Sequence, residues 1–437
     1  MPQDYDPLSS LRISRTESGI TKPIDSLIQA FTKNLSCQNT EPGPTDSPVT
    51  SFQVTLDEKD ARNVKQERNG NDFFFNLITA QSIDFISPSP YLRMADGVWI
   101  LTDPTDNVSL QTETLIKQPL DELLKPIFFF DRFTQLLSEG YPEDGIYQVL
   151  LRHIKGLNDV IAAHGDANTK LGDVQVRPEK CNVAFGSIQE GWGFNIRHFT
   201  GMYSQMFGVD EERMTAHLWG DSFFNPRTKK WMDNSDGMPM KRAFSQFVLD
   251  PVLVLYQAAK GGHEGTALHV ASKLKIEVKG EDQEKKGMDL FHAIMRNWMP
   301  IDACLAAMTA VHLPSPVTAQ RYRADSIHEG VSHDEAYNAI AGCDRNGPLS
   351  VYIPSLDPTA NTVGSDRTYN FGRVFAGTLK AGDGIKIQRR NHVKAEKEDF
   401  EWSVVRVESI IAGLGEKGKW GTVEDAAAGG IVCLVRD

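Results

Sequence analysis

Cysteine is scarce in this sequence, and the few cysteines are not clustered. The chain has five in 437 residues, none of them in a C-x-x-C pair: Cys37, Cys181, Cys304, Cys343 and Cys433. An odd, scattered set is typical of neither a disulfide framework nor a zinc site, and it fits a reducing compartment. We therefore expect no structural metal ion.

Long apolar runs are absent too. No stretch approaches the length that crosses a bilayer, and the opening MPQDYDPLSSLRISRTES lacks the basic-then-apolar pattern of a signal peptide. The sequence thus predicts a cytoplasmic protein with no membrane partner.

Basic residues are in the minority. The chain has 46 Lys and Arg against 58 Asp and Glu, a formal net charge of −12. This balance argues against a protein whose whole surface grips nucleic acid, and we expect no sequence-specific nucleic-acid partner. With 40% hydrophobic and 24% charged residues, the composition is that of a globular protein, and the length predicts two to four domains.

Apolar runs bounded by polar residues predict strands buried on both faces of a parallel sheet. They are DFFFNLI (72 to 78), GVWILTD (97 to 103), PIFFFD (126 to 131) and NVAFGS (182 to 187). Apolar residues at three- and four-residue steps predict a helix over 143 to 164. Alternating strands and helices indicate a doubly wound α/β layer with its ligand at the carboxyl ends of the strands.

The remaining segments differ in character. Residues 38 to 56 are rich in Pro, Ser, Thr and Asn, which predicts a disordered loop or insertion. HLPSPVTAQRYR (312 to 323) contains two prolines and predicts a linker. Beyond it, short strands with glycine turns indicate a small antiparallel β-barrel over 345 to 437.

Two short segments match functional patterns. GLGEKGKW (413 to 420) fits two phosphate-binding patterns, G-x-G-x-x-G and G-x-x-x-x-G-K. However, Trp420 stands where the second pattern needs Ser or Thr, and the residues that follow have the pattern of a strand and not of a helix. The segment therefore favours a glycine-rich turn. HEGVSH (328 to 333) is similar to the H-E-x-x-H motif of zinc proteases, but its histidines are five residues apart and would face different sides of a helix. The second segment predicts a solvated loop.

Three long strings resemble the eukaryotic elongation factor 2 family of ribosomal translocases. They are HLWGDSFFNPRTKKW (217 to 231), HLPSPVTAQRYR (312 to 323) and FGRVFAGTLKAGDGIKIQ (371 to 388). The resemblance implies a G-domain-like region over 1 to 340 with an inserted α+β subdomain at about 210 to 300, then the translation-factor β-barrel, truncated at its C-terminus. It also implies GTP, magnesium and the ribosome as ligands, and it puts GLGEKGKW on a connection between barrel strands.

The resemblance assigns three positions to a guanine-nucleotide site. Thr21, in ESGITK (17 to 22), matches the first-switch threonine that binds magnesium and closes on the γ-phosphate. Asp131 matches the aspartate that accepts hydrogen bonds from guanine. Ser187, in FGSIQEGW, matches the residue whose backbone approaches the guanine oxygen.

Other family motifs are altered. The chain is expected to begin downstream of the phosphate loop, leaving the layer incomplete at its first strand. Thr79, Ala80, Gln81 and Ser82 stand where the family has Asp-x-Pro-Gly-His, and the Asn-Lys part of the guanine motif is missing from KPIFFFDR (125 to 132). Losing about four hydrogen bonds to phosphate removes on the order of 6–12 kcal/mol, against about 8 kcal/mol for micromolar binding. We expect no catalytic residue, no bound metal ion and no tight GTP binding.

Three hypotheses remain. The chain is a working translocation GTPase, as the family suggests; a non-catalytic relative that binds the ribosome or its stalk, weakly; or a truncated or mis-assembled gene product without activity. The altered motifs favour the second and third over the first.

Overall fold

The structure is a computed structural model that describes most of the chain. The described residues are 9–15, 49–56, 72–79, 90–164, 170–225, 227–228, 230–233, 240–354, 368–390, 400–407, 409–412 and 421–436. Thr21, residues 38–48 and the glycine-rich stretch 413–420 lie outside them, so the predictions for these residues stay predictions.

The first part of the chain is an α/β layer built on a seven-stranded sheet, in the order β2-β3-β1-β4-β5-β6-β7. The inner pairs are parallel, and β2 and β7 add antiparallel edges. The strands are β1 Ser9–Arg15, β2 Val49–Thr55, β3 Asp72–Thr79, β4 Gly97–Thr102, β5 Lys125–Phe130, β6 Val183–Ser187 and β7 Trp192–Phe194. The predicted strands and the α/β class are confirmed.

The strands are apolar at successive positions because both faces of the sheet are covered. Val98 and Ile100 of β4 belong to the larger core, with the helices on one side of the sheet. Trp99 and Leu101 belong to a second core, with the helix at 301–312 on the other side. Successive strand residues point to opposite faces, so a strand covered on both sides must be apolar throughout.

Two expectations about the front of the sheet are wrong. The layer is not incomplete at its first strand, because β1 pairs in parallel with both β3 and β4. The disordered segment does not extend to residue 56, since β2 pairs with β3 over its whole length. Val49 and Val54 are buried there, so pairing and burial override the polar local composition.

The helices of the layer lie between and after its strands. They are α1 Leu110–Asp121, α2 Phe133–Ser138, α3 Glu143–Ala162, α4 Ile196–Phe207, α5 Glu211–Leu218, α6 Asp250–Lys260, α7 Glu264–Lys273, α8 Gly280–Gln283, α9 Gly287–Trp298 and α10 Ile301–His312. Helix α3 confirms the helix predicted from 143. A π-helix, Ser245–Leu249, leads into α6, and β8 Phe223–Asn225 pairs with β9 Lys230–Met232 as a hairpin. Residues 211–298 thus mix helices with a hairpin, and their core is continuous with that of the sheet.

The predicted linker over 312 to 323 is wrong, because most of it is helix α11, Pro316–Ile327. Ser315 caps this helix by accepting a hydrogen bond from the Thr318 N–H, and Pro316 occupies the first turn. Proline is favoured there because its missing N–H would have no partner within the helix. Helix α12, Glu335–Gly342, follows after a loop that contains HEGVSH, as predicted.

The last part of the chain is antiparallel. Strands β10, β11, β18, β15 and β16 form one sheet in that order, and β12–β17 and β13–β14 are separate pairs. Their bounds are β10 Ser350–Tyr352, β11 Thr368–Ala376, β12 Thr378–Lys380, β13 Gly384–Arg390, β14 Phe400–Arg406, β15 Ser409–Ala412, β16 Gly421–Val423, β17 Asp425–Ala427 and β18 Ile431–Arg436. No closed barrel is formed by the described strands.

A buried polar joint connects β11 and α11 to the start of β4. Arg373 donates to the Met94 carbonyl at 2.6 Å and to Asp96 Oδ1 at 2.7 Å. Arg323 donates to the carbonyls of Glu122, at 3.0 Å, and Ala95. Arg373, Arg323 and Asp96 are 0%, 0% and 1% exposed, so this joint is inside the protein.

We expect Arg373→Met to lower the free energy of unfolding by about 3–5 kcal/mol, because it removes the cation from a buried ion pair and leaves the Asp96 carboxylate inside. Urea unfolding followed by fluorescence measures this. Lys170→Ala is the matched control: the 3.3 Å pair of Lys170 with Asp325 is exposed, so its loss should leave the free energy of unfolding nearly unchanged. Equal effects of the two substitutions would contradict a stabilising role for the joint.

Candidate functional site

Three parallel strands end side by side at one edge of the sheet, and polar residues stand at each end. Thr102 ends β4, Asp131 follows β5 and Ser187 ends β6. Ligands of open parallel sheets bind beyond the carboxyl ends of the strands, where the strand order reverses. The order here reverses at β1, between β3 and β4. This edge is therefore the candidate functional site.

Asp131 is buried at this edge and held by backbone groups. It is 4% exposed, and its Oδ1 accepts a hydrogen bond from the Ile188 N–H at 2.9 Å. Its own N–H donates to the Thr102 carbonyl at 2.9 Å. The carboxylate thus ties β5 to the turn after β6, so one of the oxygens that would face a guanine base is already an acceptor within the protein.

Ser187 lies in the same turn. It is 5% exposed, and its carbonyl accepts a hydrogen bond from the Gly191 N–H at 3.0 Å. The structure therefore brings the predicted residues Asp131 and Ser187 together through Ile188. Thr21, the third predicted residue, lies outside the described part of the chain.

The chain reverses directly after Asp131. Arg132 has φ of 60°, in the left-handed region, and it precedes α2. Its Nη1 lies 3.1 Å from Asp103 Oδ2. Asp103 Oδ1 accepts from both the N–H and the hydroxyl of Thr105, at 2.9 and 2.7 Å. The acidic group after β4 is therefore used to hold its own loop and the start of α2.

His153 of α3 lies beneath the edge. Its Nε2 is 3.1 Å from Thr102 Oγ1, and its ring packs edge-on against Phe130 with centroids 4.9 Å apart. Burial lowers the pKa of His153 from its ordinary value of 6.5 to about 4, an effect that the backbone of Asp106 and the charge of Asp103 only partly offset. The imidazole is therefore neutral at neutral pH.

Glu190 closes the far side of the turn after β6. Its Oε2 accepts from the Thr134 hydroxyl and from Trp192 Nε1 at 2.9 Å, and its Oε1 lies 3.2 Å from His292 Nε2. Burial alone would raise the pKa of Glu190, but these hydrogen bonds outweigh it and hold that pKa below its usual value. Glu190 is thus an ionised carboxylate that joins α2, β7 and α9.

Sequence reasoning missed Thr102, Asp103, His153 and Glu190. The signal for the first two was available, because the polar run TDPTDN (102 to 107) directly follows an apolar strand. His153 gives no such signal, since it stands within a regular amphipathic helix. Glu190 stands within FGSIQEGW, but its partners Thr134 and His292 are distant in sequence.

The carboxylates at this edge have hydrogen-bond partners within the protein. Asp131 is buried and accepts from the backbone, and Asp103 and Glu190 are held by neighbouring side chains. Within the described ranges, no group of three or more His, Cys, Asp or Glu side chains could hold a metal ion. The hydrogen bonds of these three carboxylates hold the turns that follow β4, β5 and β6.

Comparison of the sequence with models of known protein families finds no match. Among the helices that the structure describes, none is both long enough and apolar enough to cross a membrane.

We expect Asp131→Ala to lower the free energy of unfolding by about 1.5–3 kcal/mol, because it leaves the buried Ile188 N–H without its charged acceptor. Asp131→Asn keeps an oxygen acceptor of nearly the same shape and should lose less than half as much. Urea unfolding of both variants makes the comparison. If both substitutions were neutral, the carboxylate would not be holding the turn.

His153 predicts a pH dependence of stability. The imidazole is protonated more readily in the unfolded chain, at about pH 6.5, than in the folded one, at about pH 4. The contribution of His153 to the free energy of unfolding is therefore fully present above its unfolded pKa of 6.5 and is lost as the pH falls towards 4. Between pH 7 and pH 5 the loss is about 2 kcal/mol. Urea unfolding at both pH values should show that His153→Gln removes this part of the dependence. An unchanged dependence would mean that His153 is not the titrating group.

Proposed function

We propose that this chain is a non-catalytic relative of the elongation factor 2 family, with a G-domain-like layer followed by a β-barrel domain. It associates weakly with the ribosome or its stalk and does not act as a GTPase. The observation that carries the proposal is the state of Asp131. The carboxylate that would recognise guanine is 4% exposed and accepts from the Ile188 N–H instead.

The residues available for hydrolysis support the same proposal. GTP hydrolysis requires a magnesium ligand and a group that positions the attacking water. β3 ends at Thr79 and is followed by Ala80 to Ser82, without a carboxylate or an imidazole. β1 is followed by TESGITK rather than a Gly-Lys-Ser/Thr loop. Neither segment therefore contains a phosphate loop or the aspartate and histidine of the Asp-x-Pro-Gly-His motif.

A folded binding module is favoured over a chain without a settled fold. The larger core runs without interruption from the sheet through α3 to α9, and it includes Phe371 and Ile431 of the antiparallel part. A mis-assembled product would not be expected to retain a buried ion pair between its two parts, as Arg373 and Asp96 do.

The proposal predicts no saturable binding of GTP with magnesium at micromolar concentrations, because the contacts to phosphate and guanine are missing. Isothermal calorimetry measures this, with a GTPase of known affinity as the positive control. A dissociation constant below about 10 µM, roughly 7 kcal/mol, would overturn the proposal. Loss of such binding in Asp131→Asn, which is expected to fold, would locate the nucleotide at the candidate site.

Cosedimentation with ribosomes at physiological salt tests the partner. We expect weak association that does not change when GTP is added. Tight association that requires GTP would instead support the working translocase.

A further inference from the structure

A cavity of about 430 Å³ lies between α4 and α10, on residues other than those of the candidate site. Its floor is apolar: Phe194, Met299 and Met308 line it and are 0%, 1% and 1% exposed. Trp298, also buried, forms a wall. The volume is within the range of small-molecule pockets, about 300–1,000 Å³.

The rim of this cavity is basic. Its cationic side chains are Arg197 and Lys275, the histidines His198 and His312 also line the cavity, and no Asp or Glu is among the described residues that line it. The chain as a whole has the opposite balance, with a formal net charge of −12. A basic rim on an acidic protein is a local reversal of charge that favours an anion.

The start of α4 adds to this potential. Asn195 caps the helix by accepting from the Arg197 N–H, and both residues line the cavity. The N-terminus of a helix carries a partial positive charge. The Arg197 side chain also lies close to the buried Cys181, another lining residue: burial raises the pKa of that thiol, and Arg197 offsets part of the rise.

We propose that this cavity binds a small organic anion with an apolar body, such as an aryl or acyl carboxylate, sulfonate or phosphate. The apolar part contacts Met299, Met308 and Trp298 on the inside. The anionic group lies at the mouth, between Arg197 and Lys275. This ligand site is independent of the nucleotide question at the sheet edge.

Three probes separate the contributions of charge and apolar surface. Naphthalene-1-sulfonate has both, 1-naphthol lacks the charge and inorganic phosphate lacks the apolar body. We expect calorimetry to show saturable binding of the sulfonate at about 100 µM or below and at least about tenfold weaker binding of the other two. The proposal is overturned if the sulfonate does not saturate, or if naphthol or phosphate binds equally well.

Substitutions locate the site. Arg197→Gln should weaken sulfonate binding about tenfold, since it removes a charged donor that is partly shielded from water. Lys275→Gln should weaken it about threefold, because this lysine is exposed. Lys273→Gln is the matched control: Lys273 is exposed, only two residues away and not part of the lining. An equal effect of the two lysine substitutions would overturn the assignment.

A steric variant and a chemical readout do not depend on charge. Ala303 lines the cavity from an exposed position of α10, so Ala303→Trp should block binding without disturbing the core. Cys304 lines the cavity and Cys343 does not, and both are half-buried. The sulfonate should slow alkylation of Cys304 by iodoacetamide and leave Cys343 unchanged, as followed by mass spectrometry. Binding that survives Ala303→Trp and leaves Cys304 unprotected would place the ligand elsewhere and overturn the proposal.

Discussion

The two parts of this protein are connected through two guanidinium groups that have no access to water. Arg323 and Arg373 are both fully buried, near the single carboxylate of Asp96. Burial lowers the pKa of Arg323 to about 10, which still leaves it charged at neutral pH. A buried charge is tolerated only where hydrogen bonds replace its hydration. The carbonyls of residues 93 to 95 accept from these two arginines, so that segment has little freedom.

This constraint extends to the sheet edge. β4 begins at Gly97, immediately after Asp96, and a Cβ on that glycine would lie 2.8 Å from Leu313 Cδ1. The position of β4 is thus fixed at its start by the joint and by the close approach of the chain before α11. At its other end, Thr102 accepts from the Asp131 N–H and contacts His153. The geometry of the candidate site therefore depends on contacts made at the opposite end of β4.

The sequence patterns predicted local elements well and long-range pairings poorly. β4, β5 and α3 were predictable because continuous apolar runs and a 3.6-residue period depend only on neighbouring residues. β2 is not predicted because its burial depends on pairing with β3. α11 is not predicted because its prolines indicate a linker, whereas Pro316 in fact stands in the first turn of the helix, directly after the capping Ser315. At the candidate site, Asp131 and Ser187 are predictions that rest on the family resemblance alone. Their mutual contact through Ile188 depends on how β5 and β6 are aligned, which no local pattern contains.

The position of Asp131 follows from its place directly after β5. Phe128 to Phe130 are paired with β4 up to Thr102, and the Asp131 N–H continues the same ladder by donating to the Thr102 carbonyl. Asp131 therefore has a strand-like position at the sheet, and the left-handed Arg132 turns the chain away immediately after it. The carboxylate reaches sideways from there to the Ile188 N–H in the neighbouring turn. The position of Asp131 directly after the last paired residue of β5 is thus what lets its side chain hold the turn after β6.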